Sequence, residues 1–404
     1  MNTQANETAT PGQTMPTRGP LAVIAWACFL GCSWTWVIGM LWPILLVADF
    51  GAWGWLVFAV PNVIGAAAMG FVIARPQASV EVVSAHPQAC YRFSEITVAF
   101  HVFAVGWVGF FLLGTWGLLA AAGVAIVGVM LAAKRTTALS ATAAVTLASL
   151  ACLLAWLIMG GPESPHAAAG TQRTMGDLLL LTPSVVLGFL LCPYLDLTFH
   201  RARQALDPAA GRWAFALGFG VVFLTMIIFT LLYAVAMRPA FTQPTELGTA
   251  MPTSLVWVLG IHFTLQAGLT VALHLHELIK HRGHGGAHRV AMLAIAGGAL
   301  AFWAVSEPTL DAGRVTGELV YRGFLLFYGL AFPAYVWLCM IPTFVPTVAP
   351  QARLAVYAVT LLATLPMAYF GFIEGETWWL LACVIVLAFA RVVVERLPAN
   401  RTID

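Results

Sequence analysis

The stretch Phe29-Leu30-Gly31-Cys32-Ser33-Trp34-Thr35-Trp36 sits in the middle of an apolar run long enough to cross a bilayer, and it reads poorly as continuous helix. A second stretch, Gly188-Phe189-Leu190-Leu191-Cys192-Pro193-Tyr194-Leu195-Asp196-Leu197-Thr198-Phe199, interrupts another such run. Glycine inside a helix gives up about 0.5–1 kcal/mol relative to alanine. Pro43, Pro183 and Pro193 each remove a donor and crowd the preceding turn. In lipid no water satisfies the backbone groups freed this way, so they must face a protein-lined cavity. A simple kink is the plainer alternative. Two interrupted runs at corresponding places in two halves are the better pointer, because carriers build their sites from such segments. The breaks are expected to centre near Gly31 to Trp34 and near Gly188.

The rest of the chain agrees with a bilayer setting. Of its 404 residues, 61% are hydrophobic and 9% charged. No soluble domain of this size could keep that much apolar surface dry. A spanning helix takes roughly 20 apolar residues, which leaves no room for a separate soluble domain. The net charge of +2 gives no sign of nucleic-acid binding. Seven cysteines with no C-x-x-C pair form no disulfide framework and read as small packing residues. Phosphate-cradling glycine loops, nucleophile elbows and H-E-x-x-H are absent from the sequence. An ATP-driven pump, a membrane protease or any other enzyme is therefore not expected.

The length rule gives an all-α polytopic membrane protein with about twelve transmembrane helices. The spans are 21–47, 52–74, 94–114, 116–133, 139–160, 177–199, 212–236, 253–279, 289–306, 318–342, 353–373 and 377–396. Residues 1–19 and 398–404 read as polar tails, and 20–397 as a single transmembrane domain. With the N-terminus inside, the inner loops collect Arg75, Arg92, Lys134, Arg135, Arg201, Arg203, Arg212, Lys280, Arg282, Arg289 and Arg353. This is the positive-inside pattern, and it puts both ends in the cytoplasm. The expected location is the inner membrane of a bacterium. Trp53, Trp55, Trp213, Trp378 and Trp379 fall at span edges, where indoles favour the headgroup level. Gly65, Ala66 and Gly70, and Gly106, Gly109 and Gly114, read as close helix-packing positions.

The first break lies in span one and the second in span six. The sixth span is five crossings on from the first, an odd offset, so the two broken helices run in opposite directions. That is an inverted repeat, with repeat one at about 20–160, repeat two at about 177–342 and two extra helices at about 353–396. Half-helix ends would meet at the midplane, N–H groups attracting anionic ligand groups and carbonyls attracting cations.

On these features the chain resembles the five-plus-five inverted repeat of the amino acid-polyamine-organocation superfamily, which has the leucine-transporter fold. Within it, Ser33-Trp34-Thr35-Trp36-Val37-Ile38-Gly39-Met40 and Phe58-Ala59-Val60-Pro61-Asn62-Val63-Ile64-Gly65 resemble the sodium:solute symporter family. The resemblance implies a sodium ion between carbonyls of the first broken helix and hydroxyls on the eighth. The matching stretch, Leu255 to His276, offers Thr264 and Thr270 but no adjacent Ser/Thr pair. The proton is therefore an alternative coupling ion.

Ionisable groups inside the bilayer each need a reason, since a charge at mid-bilayer costs about 2.5–3.5 kcal/mol on insertion scales. Asp196 reads either as an interfacial partner of Arg201 or Arg203 or as a gate or cation ligand beside Pro193. Glu95 reads as snorkelling beside Arg92. His101 lies two turns into the third span, and His262 lies about 13 Å into the eighth. Gln266 follows His262 one turn later on the same face. His274 and His276 read with the basic stretch Lys280 to His288 as a solvated loop with at most weak metal affinity.

The reading is a secondary active transporter of a small organic solute, working by alternating access. Ser33, Trp34, Trp36, His101, Gly188, Tyr194, His262 and Gln266 are the expected substrate-binding residues. Gly31, Cys32, Asp196 and Thr264 are the expected ion-coupling residues. No cofactor or metal is expected beyond Na+ or H+ as coupling ion. The expected partners are a small-molecule solute and the lipid bilayer, with a membrane complex or homo-oligomer open. Two alternatives stand beside it. One is a non-transporting sensor or anchoring subunit. The other is a haem or quinone redox subunit, for which His101, His200, His262, His274 and His276 supply nitrogens.

Overall fold

The computed structural model describes residues 19–161, 173–310, 313–342 and 349–397. Most of both polar tails lies outside them. Every described crossing is helical. The first span is Pro20–Trp34 followed by Val37–Phe50, two helices bent by 58° at their junction. Pro87–Ala132 is scored as one helix of 46 residues. At 1.5 Å per residue it would be about 69 Å long, twice the hydrocarbon thickness. Gly114, with φ 61° and ψ −151°, divides it into two crossings. A side-chain-bearing residue resists that conformation, so glycine is required there.

The remaining crossings are Ala52–Val72, Arg135–Ile158, Met175–Leu195, Pro208–Tyr233, Thr253–Arg282, His284–Ser306, Thr316–Met340, Pro350–Ile373 and Trp378–Glu395. That makes twelve among the described residues, in the order read from hydropathy. An even count puts both ends of the described chain on one face, called here the terminal face. The breaks fall in the first and sixth crossings, so the broken spans are antiparallel.

The eighth span is the central pillar. In its most apolar window 83% of residues are buried, against 22–28% for the fifth, ninth, eleventh and twelfth. Those peripheral spans turn Leu147, Ile295, Leu362 and Phe389 outward, as lipid-facing helices do. Trp53, Trp213 and Trp378 are exposed as expected, whereas Trp55 is buried and its indole N–H donates to the Ile227 carbonyl at 2.9 Å. Small residues bring backbones together: a Cβ on Gly65 would strike the Phe189 carbonyl of the sixth span.

One element had no forecast. Pro76–Ala85 forms a short helix between the second and third spans and lies against the Leu197–Ala205 helix. Ser79 Oγ donates to His200 Nδ1 at 2.8 Å, and Gln204 donates to Ser79 Oγ at 3.2 Å. Nearby, Glu95 binds Arg92 at 2.7 Å and also Arg282, while Arg282 reaches Gln88 at 2.7 Å. Glu95 is thus a buried tie between the third and eighth spans rather than a snorkelling group.

Candidate functional site

Both breaks exist, and each lies a few residues beyond its expected centre. The first helix runs through Gly31, Cys32, Ser33 and Trp34 and stops at Thr35. Trp36 is extended, at φ −83° and ψ 170°, before the second half begins at Val37. In the sixth span Gly188 lies inside Met175–Leu191, as does Pro183. The interruption is the tight turn Cys192–Leu195 and extended Asp196, after which Leu197–Ala205 resumes. Pro193 at the turn fits the break, since a proline starts a new helical turn but cannot continue an old one. Gly188 serves packing: a Cβ there would sit 2.8 Å from the Tyr328 carbonyl.

The first span frees carbonyls that other spans and its own side chains satisfy. Thr270 Oγ1, on the eighth span, donates to the Cys32 carbonyl at 3.3 Å. The Trp36 indole N–H turns back to the Ser33 carbonyl. Pro43 has no N–H for the Gly39 carbonyl four residues earlier, and Thr230 Oγ1 of the seventh span donates to it at 3.0 Å. On the donor side, Val37 N–H reaches His101 Nε2 at 3.4 Å, while His101 Nδ1–H donates to the Thr97 carbonyl at 2.7 Å. His101 therefore caps a helix on another span. Ile38 and Gly39 follow in the same first turn, whose N–H groups lack intrahelical partners.

The two broken spans share a hollow. Trp34, Trp36, Ile38 and Gly39 line it from the first, and Gly188 and Cys192 from the sixth. Further aromatic walls are Trp42, Phe189, Tyr328 and Phe372. Its polar side chains are Ser184, whose hydroxyl donates to the Gly329 carbonyl at 3.3 Å, and Asn62. Asn62 Oδ1 accepts the Trp34 indole N–H at 2.6 Å, which leaves the amide NH2 as the donor it can offer. The hollow has about 30 Å³ open to the centres of water molecules, room for about two waters. The broken spans are closed around it.

The other expected residues separate into distinct environments. The Ser33 hydroxyl bonds its own helix at the Leu30 carbonyl, 3.1 Å away. Cys32 Sγ faces the fifth span, 3.1 Å from Thr146 Oγ1. Tyr194 is only partly buried, and its carbonyl accepts His200 Nε2–H at 3.0 Å. His262 and Gln266 lie apart from the hollow on Ser149 of the fifth span, at 3.1 and 2.8 Å. Of the two threonines on the eighth span, Thr270 meets the first break; Thr264 is six residues away, about 9 Å along the axis.

Asp196 has neither of the arginine partners suggested for it. Arg201 pairs with Glu277 at 3.2 Å, and Arg203 donates to the Ala74 carbonyl at 2.8 Å. Asp196 is fully buried and caps its own helix, with Oδ1 accepting Thr198 N–H and Oγ1–H, each at 2.7 Å. Its Oδ2 faces His274 Nε2 at 3.9 Å. His274 was read with the loop, yet it is fully buried between Ser94, Asp196 and Trp36. The signal for it was present: His262, Gln266, Thr270 and His274 recur every four residues and form one stripe along the pillar helix.

Two of the five histidines named for haem are unsuited to it. His101 and His200 each engage both ring nitrogens with protein atoms, which leaves no lone pair for iron.

The fold and site define a class: an all-α, twelve-span membrane protein whose first and sixth spans unwind around a shared aromatic hollow. No protein-family model and no curated protein matches the sequence. Among solved structures the chain is similar to Mhp1, a nucleobase-cation-symport-1 family transporter, in a closed conformation with bromovinylhydantoin bound. That similarity has a TM-score of 0.46 and 12% identity, covering 95% of this chain and 96% of that one. So loose a likeness carries no functional argument.

Proposed function

We propose that the protein is a secondary carrier of a small organic solute, working by alternating access with the leucine-transporter arrangement. The repeats would cover about 20–160 and 177–342, with the last two spans outside them, in a bacterial inner membrane with both ends cytoplasmic. The observation that carries this reading is the shared hollow. Two antiparallel spans unwind, and residues beside both breaks line the same small space. Unwound backbone inside a membrane persists only where protein or a cavity satisfies it. Six aromatic rings wall the hollow, and an amide NH2 and a helix N-terminal turn offer donors. That chemistry suits a small, flat, largely apolar solute with an acceptor group.

In the closed state the hollow is too small for such a solute, so loading requires the broken spans to separate. The test is uptake into proteoliposomes under an imposed sodium or proton gradient. The probes are radiolabelled small aromatic and heteroaromatic solutes. Uptake above protein-free vesicles, lost in Asn62→Ala, which removes the amide donor from the hollow, is the expected result. Flat traces across the panel, with folded protein in the vesicles, would overturn the proposal.

A further inference from the structure

We infer that Asp196 and His274 share one proton, and that this proton is the ion the carrier exchanges with the terminal face. This rests on the carrier reading above and names its coupling site. Both side chains are fully buried, and among the described residues Asp196 Oδ2 and His274 Nε2 are the atoms of each left without a hydrogen-bond partner. They face one another across 3.9 Å. Each group's other atom is occupied: Asp196 Oδ1 by Thr198 and His274 Nδ1 by Ser94. The two orphaned atoms have complementary chemistry: once the gap closes by about 1 Å or one water bridges it, a proton on either supplies the donor that the other lacks.

Charge balance gives the pair its function. With the proton on Oδ2, both groups are neutral; with the proton on Nε2, a carboxylate faces an imidazolium. Either way the pair sums to zero. Loss of the proton leaves a buried carboxylate for which the described residues around it offer no uncommitted cation, which is costly in a dry interior. The charged and titratable groups around the pair offer little relief. His101 and Cys90 approach from the third span and Tyr328 from the tenth. His200 lies on the sixth, with both ring nitrogens engaged. Glu277 of the eighth span adds negative charge, and Arg201 is committed to it. A deprotonated pair therefore favours a conformation that admits water.

The placement ties that preference to both breaks. Asp196 is the extended residue at which the sixth span resumes. The His274 ring packs edge-on against Trp36, the extended residue of the first break, at 5.5 Å between centroids. A route to the terminal face follows the same helix. Glu277 lies one turn beyond His274, and its carboxylate meets His281 at 3.6 Å and half-exposed Lys280 at 3.7 Å.

The test is an infrared pH titration of the full chain in lipid nanodiscs. Asp196 bands are assigned by their loss in Asp196→Asn, and His274 bands by their loss in His274→Gln. The expected result is a common midpoint for both, with the Asp196 midpoint displaced in His274→Gln by about one pH unit or more, as coupled sites require. If a variant does not fold, Thr198→Val keeps the facing atoms and must move the common midpoint. Separate midpoints, or an Asp196 signal indifferent to His274, would overturn the shared proton. In proteoliposomes carrying a pH dye, wild type should move protons with any solute it takes up, and Asp196→Asn should lose that proton flux. Solute uptake with no proton flux sinks the coupling alone. A shared titration with no uptake of any solute sinks the carrier reading alone.

Discussion

The two breaks solve one problem in opposite ways. The second is satisfied from within its own segment. Asp196 caps the helix that follows it, Asp196 N–H returns to the Pro193 carbonyl at 3.2 Å, and His200 serves the Tyr194 carbonyl. The first draws on distant spans: Thr270 for the Cys32 carbonyl and His101 for the Val37 N–H. A locally capped break travels as a unit when its span moves. A break held by two other spans must exchange those partners whenever they shift against it, so the first is the more exposed to conformational change.

Stability measurements on detergent-solubilised protein sharpen this contrast. His101→Ala should be the most damaging, since it removes a packed ring and orphans a buried N–H, at a cost of about 3 kcal/mol. A loss below a third of that would show that the third span does not hold the first break. Gly188→Ala should follow at about 2 kcal/mol, because its Cβ meets the Tyr328 carbonyl and rigid backbone cannot yield cheaply. Thr270→Val keeps the shape and removes one interhelical hydrogen bond, which should cost about 0.6–1.7 kcal/mol. Pro193→Ala should be mildest, about 0.4–1 kcal/mol through the freer unfolded chain, because the Asp196 cap still ends the turn. A larger effect for Pro193→Ala than for Thr270→Val would invert the comparison and place the vulnerable break in the sixth span.

The same contrast explains what could be read in advance. The second break advertised itself through Pro193 and through an Asp two residues before Thr198, both local signals. Both breaks nonetheless fall beyond their expected centres: Thr35 and Trp36, which carry no such mark, lie just past Gly31 to Trp34, and Cys192 to Asp196 lies past Gly188. His274 was assigned to a loop because Lys280, His281 and Arg282 follow closely. The four-residue stripe from His262 was legible, and its continuation past Gln266 would have brought His274 inside.

Hydropathy and chain length alone determined that this is an all-helical membrane protein with twelve crossings, and where most of them begin and end. The cost of bare backbone in lipid forces long apolar helices whatever they pack against. Pro193 further marked the sixth crossing as one that cannot stay whole. Tertiary structure alone decided which side chains share a space. Trp34 meets Asn62, Asp196 meets His274, and His262 turns away to Ser149, because those pairings depend on how helices rotate and cross. Rotation is set by close packing summed over every neighbour, and no single stretch of sequence contains that sum.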